Sequence, residues 1–361
     1  MGIDIFQEME KNGVEQITFT YDKVSGLKAI TSIHDTTIGP ALGGCRMWKY
    51  DNTDDAIMDA IRLSVGMTYK CSVAGTSFGG GKTVIIGDSK TDKSEAMFRA
   101  LGRSIEILNG RYYTGPDVGI SADDLLLVRQ ESKYMVGLPE EYGGGGNTAI
   151  PTAYGVYMGI KAAVRTIYGN ESLKDLRFAV QGVGKVGSLI VDYLIEEGGR
   201  VVISNRSDQG IQKIKDRYPQ VEVVDANEIY DQECDVFVPC ALGGIINDET
   251  IPKLKCKIIA GPANNQLAEE RHGQVLHDRG ILYVPDFVIN SGGLIQASDE
   301  LDMEELNHDR VMAKTKNIYN TLLKIFHISK SGDIPTYKAA NKLAEERIEM
   351  IGQIKRRYVR P

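Results

Sequence analysis

The chain predicts an α/β protein of two domains, and three observations carry that reading. Its 361 residues are more than one core usually organises. Beyond residue 151, short apolar strands alternate with helical stretches, the rhythm of a parallel sheet with helices on both faces. The first such strand and helix flank Gly182-Val183-Gly184-Lys185-Val186-Gly187. That spacing lets a backbone approach a dinucleotide pyrophosphate. The second domain therefore reads as a Rossmann-like, doubly wound parallel sheet. The first reads as a separate α/β unit.

Taken in order, residues 14–34 and 82–88 carry strand-like apolar runs. Between them, Asp54 to Met67 places Ile57, Ile61 and Val65 at helical spacing. A further helix runs from about Ser94 to Leu108. Gly110 to Gly119 reads as a strand feeding a stiff Gly115-Pro116-Asp117 loop. Residues 139–151, with four glycines at Gly143–Gly146, look like a hinge or linker. Strands then follow at Phe178–Gln181, Val201–Ser204, Val221–Val224, Asp235–Val238, Ile258–Ala260 and Leu282–Val284. Two long helical patterns close the chain, about 304–329 and 337–354, and the last can pack back on the first domain. The expected bounds are 1–136 plus about 333–361 for the first domain, and 137–332 for the second.

Bulk properties narrow the function. The net charge of −7 and the absence of a large basic block disfavour duplex nucleic acid and anionic membranes. The basic run Lys355 to Arg360 is short and reads as a solvated helix end or a subunit contact. The N-terminus has no signal-peptide core, and no window reaches the ~18 apolar residues of a membrane span. Five cysteines without C-x-x-C spacing read as reduced thiols of a cytoplasmic protein. No metal site is expected.

Gly75-Thr-Ser-Phe-Gly-Gly-Gly-Lys-Thr83 imitates a nucleotide-triphosphate loop, G-x-x-x-x-G-K-[ST]. The first glycine falls one place too early, and Thr83-Val84-Ile85-Ile86 continues as a strand. A loop that opens no helix offers no helix N-terminus to a phosphate.

The dinucleotide signal is firmer. Gly182 permits the tight turn, Gly184 the close approach of pyrophosphate, and Gly187 the packing of helix on strand. A carboxylate for the ribose 2′-hydroxyl is expected ~20 residues on. Ser204-Asn205-Arg206 stands there instead. Asn205 removes a charge that would repel a 2′-phosphate, and Arg206 supplies a planar donor for one. NADP or dual use is one reading. The other is that Arg206 faces solvent while Asn205 still bonds the ribose of NAD.

Two lysines, Lys70 and Lys82, flank the glycine-rich segment, and Asp117 sits in the Gly-Pro-Asp loop. Burial and a second nearby cation both favour a neutral lysine able to act as a base. Either lysine alone is more often a surface charge.

The motifs together resemble the leucine/phenylalanine/valine dehydrogenase family, relatives of glutamate dehydrogenase, over nearly the whole chain. They are Gly39-Pro-Ala-Leu-Gly-Gly44 with Arg46-Met47, Gly66-Met-Thr-Tyr-Lys70, Gly79 to Gly87, Asp117-Val118-Gly119, Ala263-Asn-Asn-Gln-Leu267 and Val288-Ile-Asn-Ser-Gly-Gly293. Departures are Asn205-Arg206, Pro262 and Ser291. The resemblance implies a first domain that binds substrate and forms homo-oligomers. It implies NAD(P)-dependent oxidative deamination of an L-amino acid to a 2-oxo acid and ammonia. It assigns the α-carboxylate to Lys70, water activation to Lys82 and proton transfer to Asp117. The glycines before Lys82 would let substrate and backbone come close. Cofactor contacts would involve Gly182, Gly184, Lys185, Val186, Gly187, Asn205, Arg206, Thr152, Ala241, Asn264 and Asn265. Substrate contacts would involve Leu42, Gly43, Gly44, Met67, Lys70, Gly115, Asn264, Asn290, Leu294 and Ala297.

Glutamate enzymes resemble one another in having a lysine where Leu42 stands, so an apolar substrate is expected. Gly115 and Leu294 resemble the phenylalanine type, and Gly115 and Ala297 would enlarge the pocket. Phenylalanine is favoured, with leucine or another branched-chain amino acid the alternative. One methylene of fit is worth only ~1–3 kcal/mol. A non-catalytic nucleotide sensor of the same fold is the reading from another class.

Overall fold

The computed structural model describes residues 2–302 and 306–357. The start of the expected 304–329 helix and the end of the basic run from Lys355 lie outside the described residues. The chain divides into two compact units. One is built from the residues up to Asn147, the segment Ala297–Leu306 and the segment from Ala344 on; the other is Thr148–Gln296 with Asn307–Leu343. The expected bounds lay at 136/137 and 332/333. The observed ones fall later, and they return part of a helix to the first unit.

The first unit contains α1 (Ile5–Asn12), β1 (Gln16–Tyr21), β2 (Lys28–Asp35), β3 (Ala41–Trp48), α2 (Thr53–Val73), β4 (Gly79–Ile86), α3 (Glu95–Glu106), β5 (Tyr112–Pro116) and α4 (Ala122–Arg129). The strands lie in the order β1-β2-β4-β3-β5. β1 pairs antiparallel with β2 and β2 antiparallel with β4, whereas β3 pairs parallel with both β4 and β5. Alternation along each strand sorts the residues into two layers. Val84 and Ile30 pack with Ala56, Ile57, Ala60 and Ile61 of α2. Ile85, Met47 and Cys45 pack with Phe98, Leu101 and Ile105 of α3 and with Leu125 and Val128 of α4.

The strand β3 was not expected. Glycines such as its Gly43-Gly44 pair weaken the strand signal, and sheet pairing on both sides overrides that propensity. The glycines before Lys82 also belong to a strand, not to a loop beside substrate. A Cβ at Gly80 would lie 2.1 Å from the Thr68 backbone nitrogen, one at Gly79 1.9 Å from the Asp35 carbonyl, and one at Gly81 2.7 Å from the Tyr112 ring. Protein atoms already fill that space, so these glycines let α2 and the neighbouring chain close down on β4.

The second unit contains α5 (Ala149–Tyr168), β6 (Arg177–Gln181), α6 (Lys185–Glu196), β7 (Arg200–Ser204), α7 (Asp208–Arg217), β8 (Glu222–Val223), β9 (Val236–Pro239), β10 (Ile258–Ile259), α8 (Glu270–Asp278), β11 (Leu282–Tyr283) and α9 (Asp286–Ile289). Then follow α10 (Gly292–Asp302), which runs on into the first unit's segment, α11 (His308–Lys316), α12 (Ile318–Gly332) and α13 (Thr336–Arg357). All six strands are parallel, in the order β11-β10-β9-β6-β7-β8. The order reverses between β6 and β9, where an open α/β sheet places its ligand crevice. The helix expected over 304–329 is two helices, broken at Asn317, which ends α11 and caps α12. The Gly143–Gly146 segment is a wound turn. Its amides at Gly143, Gly144 and Gly146 donate to Glu140, Pro139 and Leu138, and that of Gly145 to the Glu300 carboxylate. Among the described residues no helix is long and apolar enough to cross a membrane.

Candidate active site

In the first unit, Lys82 of β4 and Asp117, just past β5, meet beside Gly44 of β3. Lys82 Nζ donates to Asp117 Oδ2 at 2.6 Å, and Lys82 is only 5% exposed. A Cβ at Gly44 would lie 2.8 Å from Asp117 Cβ and 3.2 Å from Lys82 Nζ. Only glycine fits between the two elements that carry the pair. Burial would push the Asp117 carboxyl up, but Lys82 and Arg46 outweigh it and hold it below the usual carboxylate range. Arg46 donates through Nε to the same Asp117 oxygen at 3.2 Å and through Nη1 to Asp59 at 3.1 Å.

Leu42, two residues before Gly44, is 1% exposed. Gly115 pairs with Gly44 across β3 and β5. A Cβ at Gly115 would meet Val136 Cγ2 at 3.2 Å. The room beside Gly115 is therefore shared with Val136, a residue that no sequence motif marked. Met67 and Lys70 lie on α2, which covers this face, and Met67 Cγ is 3.5 Å from a Cβ built on Gly43. Lys70 is half-buried.

In the second unit the three glycines fit a dinucleotide, each for its own reason. Gly182 has φ +95°, and a Cβ there would lie 2.9 Å from Ala241 Cβ. Nothing stands within 4 Å of a Cβ at Gly184, which leaves open space at the start of α6, whose first turn has no side-chain cap. Uncapped amides at a helix N-terminus suit a phosphate. At Gly187 a Cβ would strike the Gly182 carbonyl at 2.2 Å. Lys185 and Val186 form the first turn of α6.

Asn205 is tied into this loop: its Oδ1 accepts from the Val183 amide at 3.2 Å and its Nδ2 donates to the Ser207 carbonyl at 2.9 Å. Arg206 is exposed. Asn290, 6% exposed, donates to Asn264 Oδ1 at 2.6 Å and to the Pro262 carbonyl at 3.0 Å. Asn265 adopts φ +52°, which turns the chain between Asn264 and Gln266. The hydroxyl of Thr152 lies 3.1 Å from a Cβ built on Gly293, at the start of α10. Leu294 is buried on the same helix, and Ala297 is half-buried where that helix enters the first unit's segment.

Elsewhere, ligand atoms of Asp248, Glu269 and His272 lie within 4.8 Å of one another. The Arg271 guanidinium already bonds both carboxylates, which leaves a cation little to neutralise.

Fold and site together define a dinucleotide-dependent dehydrogenase with a buried lysine–aspartate pair. Residues 13–140 match the Glu/Leu/Phe/Val dehydrogenase dimerisation domain. Residues 143–211 and 203–353 match the Glutamate/Leucine/Phenylalanine/Valine dehydrogenase domain. A leucine dehydrogenase of Geobacillus stearothermophilus is 51% identical over 96% of this chain and 94% of its own. A phenylalanine dehydrogenase of Thermoactinomyces intermedius is 48% identical over 98% and 96%. The crystal structure of L-tryptophan dehydrogenase from Nostoc punctiforme superposes with a TM-score of 0.86 at 42% identity, covering 96% of this chain and 99% of that one. The chain belongs to the Glu/Leu/Phe/Val dehydrogenase family and is an NAD(P)-dependent amino acid dehydrogenase.

Proposed function

We propose that the protein oxidatively deaminates a large apolar L-amino acid, L-phenylalanine first, with leucine as the alternative. The observation that carries this is the face shared by Leu42, Gly44 and Gly115. A buried leucine and two glycines adjoin the reacting pair. A side-chain carboxylate placed against Leu42 would stay desolvated and unpaired. The names of the relatives support both phenylalanine and leucine. Gly115 favours the larger side chain, and Val136 limits how much room it gives.

In this reading NAD(P), when bound, accepts the α-hydride; the chain's own groups do the rest. Lys70 holds the α-carboxylate. Asp117 shuttles protons to and from the substrate amine, and Lys82, in its neutral form, orients the water that attacks the substrate iminium and takes its proton. The 2.6 Å contact provides the path by which a proton passes between the two. Gly182, Gly184, Gly187 and the first turn of α6, with Lys185 and Val186, would hold the pyrophosphate. Asn264, Asn265, Ala241 and Thr152 would contact the cofactor, and Asn264, Asn290, Leu294 and Ala297 the substrate. Exposed Arg206 would accept a 2′-phosphate, so NADP is used beside NAD. The protein works as a homo-oligomer, for which the match to a dimerisation domain is the support.

The test is reduced-nicotinamide formation with L-phenylalanine or L-leucine, each with NAD or NADP. Faster turnover of phenylalanine is expected, with measurable use of NADP. Strict use of NAD would remove the role of Arg206. Faster turnover of leucine would make Val136, rather than Gly115, the residue that sets the pocket.

A further inference from the structure

Arg46, a half-buried cation of the first unit, has no part in the chemistry proposed above. Arg46 has a side chain 18% exposed, and its guanidinium spans two carboxylates, Asp117 through Nε and Asp59 through Nη1. Asp59 is bonded from three directions. Besides Arg46 it accepts from Tyr50 Oη at 2.6 Å and from Arg62 Nη2 at 2.6 Å. We infer that Arg46, anchored by Asp59, is a positioning residue that fixes the rotation and the ionised state of Asp117 during turnover. This rests on reading Asp117 as the proton carrier.

The argument is geometric. Lys82 and Arg46 donate to the same oxygen, Asp117 Oδ2, from β4 and β3. A lysine is a point donor on a flexible stem and does not fix a carboxylate's rotation. A planar guanidinium held at its other edge does. Lys82 must also leave its partner when it turns to water. Arg46 then keeps a cation beside Asp117. An arginine stays protonated at any working pH, so it supplies charge without entering the proton traffic. Its own anchor is secure, since both carboxylates stabilise its charged form against the cost of burial.

Lys82 comes from β4 and Arg46 from β3. Cys45 on β3 is a neutral thiol, pushed up to about 12 by burial. Asp59 and Arg62 come from α2, and Tyr50 follows β3. On α4, Asp124 is paired with Lys93. The Val118 amide also bonds the Asp117 carboxylate.

The test compares Arg46→Met, Arg46→Lys, Asp59→Asn and Asp117→Asn in steady-state amino acid oxidation from about pH 5 to about pH 10, with folding followed by thermal melting. In Arg46→Met the acidic limb of kcat/KM should move up by about one pH unit. Its kcat should fall by about tenfold to a hundredfold, with KM for the amino acid little changed. Arg46→Lys should keep the limb and recover part of kcat. Asp59→Asn should lower kcat by less. A wild-type limb and kcat in Arg46→Met would overturn the inference. So would a loss confined to KM, which would make Arg46 a substrate ligand. Should Arg46→Met fail to fold, Arg46→Lys decides: the inference requires a reduced kcat, and wild-type kcat ends it. Wild-type turnover in Asp117→Asn would remove the reading of the site itself.

Discussion

Lys82 is buried as a charge-assisted pair, and that pairing decides what each substitution reports. Removing one member of a buried pair leaves the other charged and uncompensated, a cost of several kcal/mol. At Lys82→Ala the cost is softened, because Arg46 still donates to Asp117. The variant should therefore fold and lose about 10²–10⁴ in kcat, the usual share of a positioned acid–base group. Dinucleotide affinity, followed by fluorescence titration, should stay within about twofold of wild type, because the glycine loop belongs to the other unit. Retained turnover would end the assignment. Gly115→Ala tests the pocket. The new methyl would lie 3.2 Å from Val136 Cγ2, tighter than ordinary contact. The ratio of kcat/KM for phenylalanine over leucine should fall about tenfold, the scale of one methylene in an apolar pocket. An unchanged ratio would show that the side chain is not held here.

Elements explain why the lysine pair was legible and its support was not. Glycine motifs advertise themselves in sequence because few positions require them. So Gly182, Gly184 and Gly187 announced the second unit's strand, loop and helix. The same property hid β3 and the start of β4, where glycines sit inside strands for close packing and mimic loops. Arg46 and Asp59 were hidden for another reason. Their partners lie 71 and 13 residues away from Arg46, so no local spacing couples them. Val136 likewise joins Gly115 only through the fold. The tight seat of α2 on β4 can be tested at Gly80, where a Cβ would lie 2.1 Å from the Thr68 nitrogen, a backbone atom that cannot step aside alone. Gly80→Ala should lower stability by about 1–3 kcal/mol, as overpacking does, in urea unfolding. It should also lower kcat, because α2 carries both Lys70 and Asp59. Full stability would mean that the helix can rise off the strand at no cost.

Over the whole molecule, the chain passes between its units four times, and two passages lie within helices, α10 at Gln296–Ala297 and α13 at Leu343–Ala344. Glu300, one turn past the first of these passages, accepts from the Gly137 and Gly145 amides. It thereby ties α10 to the glycine turn that precedes the passage at Asn147. Burial pushes its carboxyl up, more than those two amides pull it down. A carboxyl whose folded value exceeds its unfolded value of about 4.3 stabilises the fold fully below that value, and the contribution is lost as pH rises through the folded value. Glu300→Gln keeps an acceptor oxygen and cannot ionise. The melting temperature of wild type relative to Glu300→Gln should therefore decline as pH rises from about 4 toward neutrality, then level off once the carboxyl is fully ionised. A difference that stays constant over that window would mean that the two amides fully compensate the buried charge. The glycine turn would then be held equally well at every pH at which the enzyme works.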